Sequence, residues 1–444
     1  MGGRAALIFI LGFSFLMGYT IMNLNQAATR AVGNTSTYNT MTASHNLALA
    51  GANVGLAKLY RDTSWGSSST GTLSQSFSSG PLIGSFTVTV TRSGDTKTLI
   101  SEARYPGADS TDKIIVTLGK NITNSFALFA WMTNSENSTY WITGDTVWGQ
   151  VHSNDNFYVS GKPVFMRQVT TSKNFKPPVG KSSGGYTNSA IFKNPPQPET
   201  GVQTIDIPND LSAFAAAADS SKGGKTYKFD TTWVILDSKT SASGDGKAYI
   251  KSSRNGSYVD SIRLADTSFD GVIMGTKVVA VQGKLDGRLT IGSYSTPTAT
   301  NNNLIITGDI FYEKNPQAGP SDDQLGLVAN NNVVVADNIV TNGNREIDGS
   351  IFCRTGSFTA ENYTTRSIDG QLRVLGSIVQ NTRGAIGTFS GTTIKTGFLK
   401  AYRYDDRLLD PTARPPYYPG WLQKNYAILN WWESYRVMPL NLSD

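Results

Sequence analysis

The chain is short of the residues that most often carry chemistry. One cysteine, Cys353, stands among 444 residues and excludes an internal disulfide framework. Between Phe352 and Arg354, in a strand-like run, it reads as a small buried hydrophobe. Two histidines, His45 and His152, lie far apart without cysteine neighbours, which leaves no zinc-binding spacing. Haem ligation and a Ser-His-Asp triad have equally few candidates. The glycines lack the strand-to-helix setting of a dinucleotide fingerprint, and no phosphate loop occurs. No Asp-x-Asp-x-Asp loop suits calcium. No cofactor and no metal site are therefore expected. Lys and Arg total 39 against 33 Asp and Glu, but they are scattered, and without a basic run nucleic acid is not an expected partner. Negative charge is missing from the whole front of the chain, where no acid precedes Asp62.

That front is greasy instead. After Met1-Gly2-Gly3-Arg4 comes the uncharged run "AALIFILGFSFLMGYTIM", Ala5 to Met22. It approaches the about 20 apolar residues that span a bilayer. Its anchor residues are Ala5, Leu7, Ile8, Phe9, Ile10, Leu11, Phe13, Phe15, Leu16, Met17, Ile21 and Met22. Asn23, Asn25 and Gln26 follow it, not the small-residue cleavage site of a secretory signal. Arg4 precedes the run and Arg30 is the next positive charge, which favours a cytoplasmic N-terminus and an exported remainder. Leu47, Ala50, Val54 and Ala57 continue at helical spacing, so the spacing predicts one long helix from about Ala5 to Arg61. Gly51 and Gly55 mark one face of its last part as a close-packing face, expected to lie against the chain's own sheet.

A Ser/Gly linker, "WGSSSTGTLSQSFSSG", leads to "GSFTVTVTRSGDTKTLISEARYPGADSTDKIIVTLGK". Phe86, Val88 and Val90 alternate with threonines, and further strands fall at Thr96–Arg104 and Lys113–Leu118, a small antiparallel meander. A long helix with a greasy front third followed by such a meander resembles the type IV pilin-like proteins. The phrase "FTVTVTRSGDTKTLISEARY…DKIIVTL" is similar to minor-pilin-like proteins of the PilX type. That resemblance implies leader processing after a glycine, for which Gly2 and Gly3 are the candidates, and it implies other pilin-like subunits and a lipid bilayer as partners. The chain departs from the major pilins in one respect. The fifth mature position would be Leu7 or Ile8, where those proteins carry glutamate.

A second pattern recurs further on. "DGRLTIG" at Gly287, "TGDIFYE" at Gly308, "DGSIFCR" at Gly349 and "LGSIVQN" at Gly376 share a glycine, a polar residue and an apolar pair, with an earlier likeness in "WGQVHSN" at Gly149. The segment Leu325 to Asn338 supplies a further rung inside the longest interval. Short strands and turns repeating roughly every 20 residues point to a solenoid. Expected inward residues are Val279, Val281, Leu289, Ile291, Leu304, Ile306, Ile310, Val333, Val335, Ile351, Phe358, Leu372, Val374 and Ile378. The tracts Asn301–Asn303 and Asn330–Asn332 suit corners, where glycine or asparagine allows left-handed backbone and stacked amides bond along the ladder. The expected fold is mainly β: a pilin-like helix and small antiparallel sheet, then a right-handed parallel β-helix.

Residues 166–262 are less regular and read as an insertion, with a short helix at Leu211–Ala218 capped by Asn209 or Asp210. Beyond the meander, "ALFAWMTNSENSTYWITGDTVWGQVHSNDNFYVSGKPVFMRQVTTS", "LGLVANNNVVVAD" and "GFLKAYRYDDRLLDPTARPPYYP" resemble a bacterial domain family of uncharacterised function that is joined to PilX-type N-termini.

For catalysis, glycoside hydrolysis asks for two carboxylates about 5–10 Å apart. The available pairs are Asp322/Asp323, in a turn-like stretch, and Asp405/Asp406, flanked by Arg403 and Arg407. The Asp-Gly pairs read as turns. His152 with Asn154 and Asp155 is the best polar oddity, read as a corner satisfying backbone groups. The end of the chain is aromatic, and Trp421, Trp431 and Trp432 are candidate surface contacts for a polysaccharide or protein. Its "WLQKNYAILNWWESYR" is expected as an amphipathic helix capping the solenoid.

The sequence thus divides into an anchoring helix (1–62), linker and meander (63–120), first solenoid part (121–165), insertion (166–262), main coils (263–400) and aromatic cap (401–444). It predicts an inner-membrane-anchored, exported protein of a type IV pilus-like filament or its assembly machine, with its body periplasmic or at the surface for display or adhesion. No reaction is assigned. A surface carbohydrate-active enzyme on the same solenoid, or an envelope protein outside filaments, are the alternatives.

Overall fold

The computed structural model describes residues 2–78, 83–94, 96–107, 111–119, 123–193, 198–238, 246–338, 343–390, 393–422 and 426–434. The fold is mainly β with one long N-terminal helix. The chain forms two compact units, Met1–Ile122 with Gln423–Asp444, and Thr123–Leu422.

In the first unit α1 runs unbroken over Gly2–Arg61. β1 (Gly71–Phe77), β2 (Gly84–Ser93), β3 (Thr96–Arg104), β4 (Asp112–Gly119) and β5 (Ala427–Glu433) make one antiparallel sheet in that order. The Ser/Gly stretch expected as a linker therefore contains a strand, β1. The alternation of β2 puts Phe86, Val88 and Val90 inward, where they meet Leu47, Ala48, Ala52 and Leu59 of the helix. Gly51 and Gly55 lie on that face as expected. A Cβ on Gly55 would stand 2.7 Å from Val88 and 2.9 Å from Leu99, so only glycine admits the sheet this closely.

β5 corrects the expected capping helix. Ile428, Trp431 and Trp432 favour extended chain, and the free edge of β4 offers hydrogen-bond partners that a short helix interrupted by Asn430 would not gain. It is the fifth strand of the first unit's sheet.

The second unit is built from parallel ladders. Its ten-stranded sheet is parallel at every pairing, and an eleven-stranded sheet is parallel except at its margins. The glycine-led segments lie side by side in this way: Ile310 pairs with Ile347, Ile347 with Val374, and Ile351 with Ile378. All fourteen expected inward residues are buried. Leu325 to Asn338 does supply the extra rung, through Gln324–Ala329 and Val333–Val335.

Register corrects two details. Gly349 and Gly376 occupy one corner, preceding Ser350–Cys353 and Ile378–Thr382, whereas Gly308 lies inside the strand Leu304–Tyr312. The phrase spacing is thus not the spacing of paired strands. The asparagine tracts hold corners without left-handed backbone: the non-glycine residues with positive φ are Asn137, Ser138, Asn362 and Tyr417 among those described. They act through side chains, with Asn331 Nδ2 donating to Asn303 Oδ1 at 3.0 Å and Asn332 Oδ1 accepting from Ser357 N at 2.8 Å.

Across the ten-stranded sheet, residue numbers climb from Lys225–Tyr227 to Ile378–Thr382, restart at Trp131–Ser135 and climb to Glu199–Thr200. The chain enters mid-sheet, builds one end, and returns to start the other. The return segment crosses several rungs, since Asn154 Nδ2 donates to the Ile205 carbonyl at 2.7 Å and Phe214 sits on Gly292. Residues 166–262 are therefore not an irregular insertion: Val169–Thr171, Glu199–Thr200 and Lys225–Tyr227 are rungs, Thr231–Asp237 joins the other sheet, and the return segment lies between. Its helix is Ser212–Ala217, and Asp210 receives hydrogen bonds from both the N–H and hydroxyl of Ser212.

Candidate functional site

The leading helix presents its apolar residues outward without a break. From Leu7, 62% exposed, through Phe9 at 80% and Phe15 at 85% to Met22 at 55%, the expected anchor residues lie open. Gly2 and Gly3 begin the helix, and the side chain of Ala5 lies outside the described residues. Among the described residues, the one helix long and apolar enough to cross a membrane is this one, and its apolar stretch is wholly exposed and near the N-terminus. Hydroxyls in this part bond within the helix: Thr20 Oγ1 donates to the Leu16 carbonyl at 2.8 Å. Such a helix suits hydrocarbon, where every polar group must find an internal partner. Only from Ser44 onward does the helix become a packing element of its own sheet.

The polar residues singled out in the second unit are already committed. His152 is buried, with Nε2–H donating to Asn154 Oδ1 at 2.8 Å and Nδ1 facing Thr170 Oγ1 at 2.8 Å. Burial lowers its pKa, against the Asn154 bond that raises it, which favours the neutral ring. Asn154 also donates to Asn134 Oδ1, and Asp155 pairs with Lys173 at 2.8 Å. The group ties neighbouring rungs and leaves no open ligand. Asp323 is buried and accepts from Gly287 N and Lys314 N, while Asp322 lies 3.9 Å from the Lys314 ammonium. Asp405 is buried and held by Arg407 at 2.7 Å; Asp406 is exposed and pairs with Arg167. Each acid has its own partner, and Arg407 feels the charge of both Asp405 and Asp323. Cys353 is buried, its thiol pushed up to about 12 by desolvation. Among the described residues no group of three or more His, Cys, Asp or Glu could hold a metal ion.

The aromatic candidates divide. Trp421 packs on Phe126 and Phe129, with ring centroids 5.1 and 5.4 Å away. Trp431 lies half-buried against the first unit's core and donates to Glu433. Trp432 alone of the three is exposed, at 49%. Tyr435 lies outside the described residues.

Three features escaped the sequence. Glu136 and Arg383 form an ion pair at 2.8 Å with both side chains essentially buried, and Arg383 lies over Trp141 and Trp131. Asp145 and Lys400 form a second pair at 3.1 Å beside the same tryptophan. The partners are far apart in the chain, and no spacing rule connects them. Trp148, beside Lys400 and Arg403 in space, was likewise unmarked.

Residues 85–173 match a family described as a domain of unknown function, DUF4900. No curated protein matches the chain. Among solved structures it is similar to the competence-associated pilin ComZ from Thermus thermophilus, at 11% identity and a TM-score of 0.39, covering 90% of this chain and 97% of that one. Neither likeness assigns a site residue.

Proposed function

We propose that the protein is an exported, membrane-anchored, pilin-like subunit or assembly factor of a type IV pilus-like filament, presenting a β-helix body for display or adhesion. The observation that carries this reading is the unbroken exposure of Leu7–Met22 at the head of a helix whose rear part is packed on its own antiparallel sheet. An apolar helix with no intramolecular partner over that length calls for lipid or for like helices of neighbouring subunits.

The body is a right-handed parallel β-helix. Successive parallel strands of one sheet separated by strands of another support coils, and parallel crossovers are right-handed in about 98% of cases. Arg4 ahead of the apolar run and Arg30 after it favour a cytoplasmic start and a periplasmic or surface body.

The test is mass spectrometry of the mature N-terminus after expression in a bacterium carrying a prepilin peptidase, with fractionation of the same cells. Cleavage after Gly2 or Gly3 with N-methylation, and recovery with membranes or sheared filaments, is the expected result. A soluble cytoplasmic protein indifferent to deletion of residues 5–22 overturns the proposal.

A further inference from the structure

A cleft of about 270 Å³ opens on the second unit, with Trp148, Asn315, Gln317, Glu346, Arg373 and Arg403 in its walls. Trp148 is 44% exposed, a large indole left in water on an otherwise well-packed coil. The exposed Arg403 guanidinium lies 5.5 Å from its ring centroid. Arg373 is engaged by Glu346 at 3.2 Å and Lys400 by Asp145 at 3.1 Å, whereas no carboxylate among the described residues pairs with Arg403. The floor is stiff: Tyr402 stacks on Trp131 with centroids 5.9 Å apart, and the Lys400 ammonium faces Trp141 at 5.6 Å. A rigid floor under an exposed ring is what a binding site needs to limit the entropy lost on binding.

The wall chemistry narrows the ligand. An indole face takes the apolar face of a sugar ring. The carboxamides of Asn315 and Gln317 and the Glu346 carboxylate together offer donors and acceptors for neighbouring hydroxyls. The Arg403 guanidinium, stacked on Trp148 but without a carboxylate partner among the described residues, takes a carboxylate in bidentate fashion through its N–H edge. Nucleic acid fits less well, because it calls for several unpaired cations along a backbone and several stacking rings. The volume lies just under the about 300 Å³ at which drug-sized pockets begin, enough for a single sugar unit.

We propose that this cleft binds one uronate unit of an acidic polysaccharide, stacked on Trp148 with its carboxylate on Arg403. The ligand deepens the display reading without depending on anchoring. Binding in solution can fail while the leading helix still enters vesicles, and the reverse, so the two failures are distinguishable.

The test uses the full chain in detergent micelles, titrated with a galacturonate oligosaccharide, with its methyl-esterified neutral form and with a single-stranded oligonucleotide, read by calorimetry. The acidic sugar is expected to bind at least about tenfold tighter than the neutral form, and Arg403→Gln to erase that preference. Trp148→Ala is expected to weaken both sugars about tenfold or more, while Tyr258→Ala, at an exposed ring outside the cleft, changes neither. Wild-type protein that binds no sugar, variants that bind as wild type does, or tighter binding of the oligonucleotide that Trp148→Ala abolishes, overturns the proposal.

Discussion

Gly376 and Gly349 open the same phrase and occupy the same corner, yet they differ in what they can tolerate. Gly376 has φ +153°, and a Cβ there would run into the Gly349 carbonyl of the next rung. A Cβ on Gly349 would stand 3.4 Å from Leu325, an ordinary contact. Gly376→Ala is expected to cost about 1–3 kcal/mol in denaturant unfolding. Gly349→Ala should be neutral or stabilising by up to about 1 kcal/mol through the unfolded chain. His152 makes a pH-dependent prediction of its own. Its pKa is lowered in the folded chain, so the unfolded chain binds the proton first as pH falls below about 6.5. Stability is therefore full above that pH and declines below it. His152→Gln should flatten that part of the stability–pH curve, and an unchanged slope would mean the ring titrates alike in the folded and unfolded chain.

At the scale of elements, two contacts decide how parts are joined. The rear of α1 approaches the sheet at Gly55, so Gly55→Leu forces Val88 and Leu99 aside. A loss of about 1–3 kcal/mol is expected, read as a lower melting temperature of the first unit in detergent. In the second unit, Trp131–Ser135 meets Ile378–Thr382, where the ladder restarts. The Glu136–Arg383 pair bridges that seam, with Arg383 also donating to the Thr139 carbonyl at 3.1 Å. Arg383→Met strands a buried carboxylate and should cost about 3–5 kcal/mol. Glu136→Gln combined with Arg383→Met should recover part of that loss, because no uncompensated charge remains. A double variant no better than the single one would show that the pair's packing on Trp141 matters more than its charge.

For the whole molecule, the proposed anchoring rests on Leu7–Met22 being apolar all round. Leu11→Lys places a charge near the middle of that run, a change worth about 2.5–3.5 kcal/mol in hydrocarbon. Vesicle flotation of the full chain should then fall roughly a hundredfold. Tyr38→Lys, beyond the run, should leave flotation as it is. Equal flotation of the Leu11→Lys protein would mean that another surface holds the lipid.

The amino-acid sequence alone determined the long helix, the meander, the parallel pairing of the glycine phrases and the identity of the inward residues. These follow from local signals: hydropathy over a contiguous run, strand alternation, and like residues stacking on like. Tertiary structure alone decided the restart of the ladder at Trp131, the conversion of the last aromatic stretch into β5, and the joining of Glu136 to Arg383. Each depends on which free edge or buried partner is within reach after folding, and a residue does not carry that information in its neighbours along the chain.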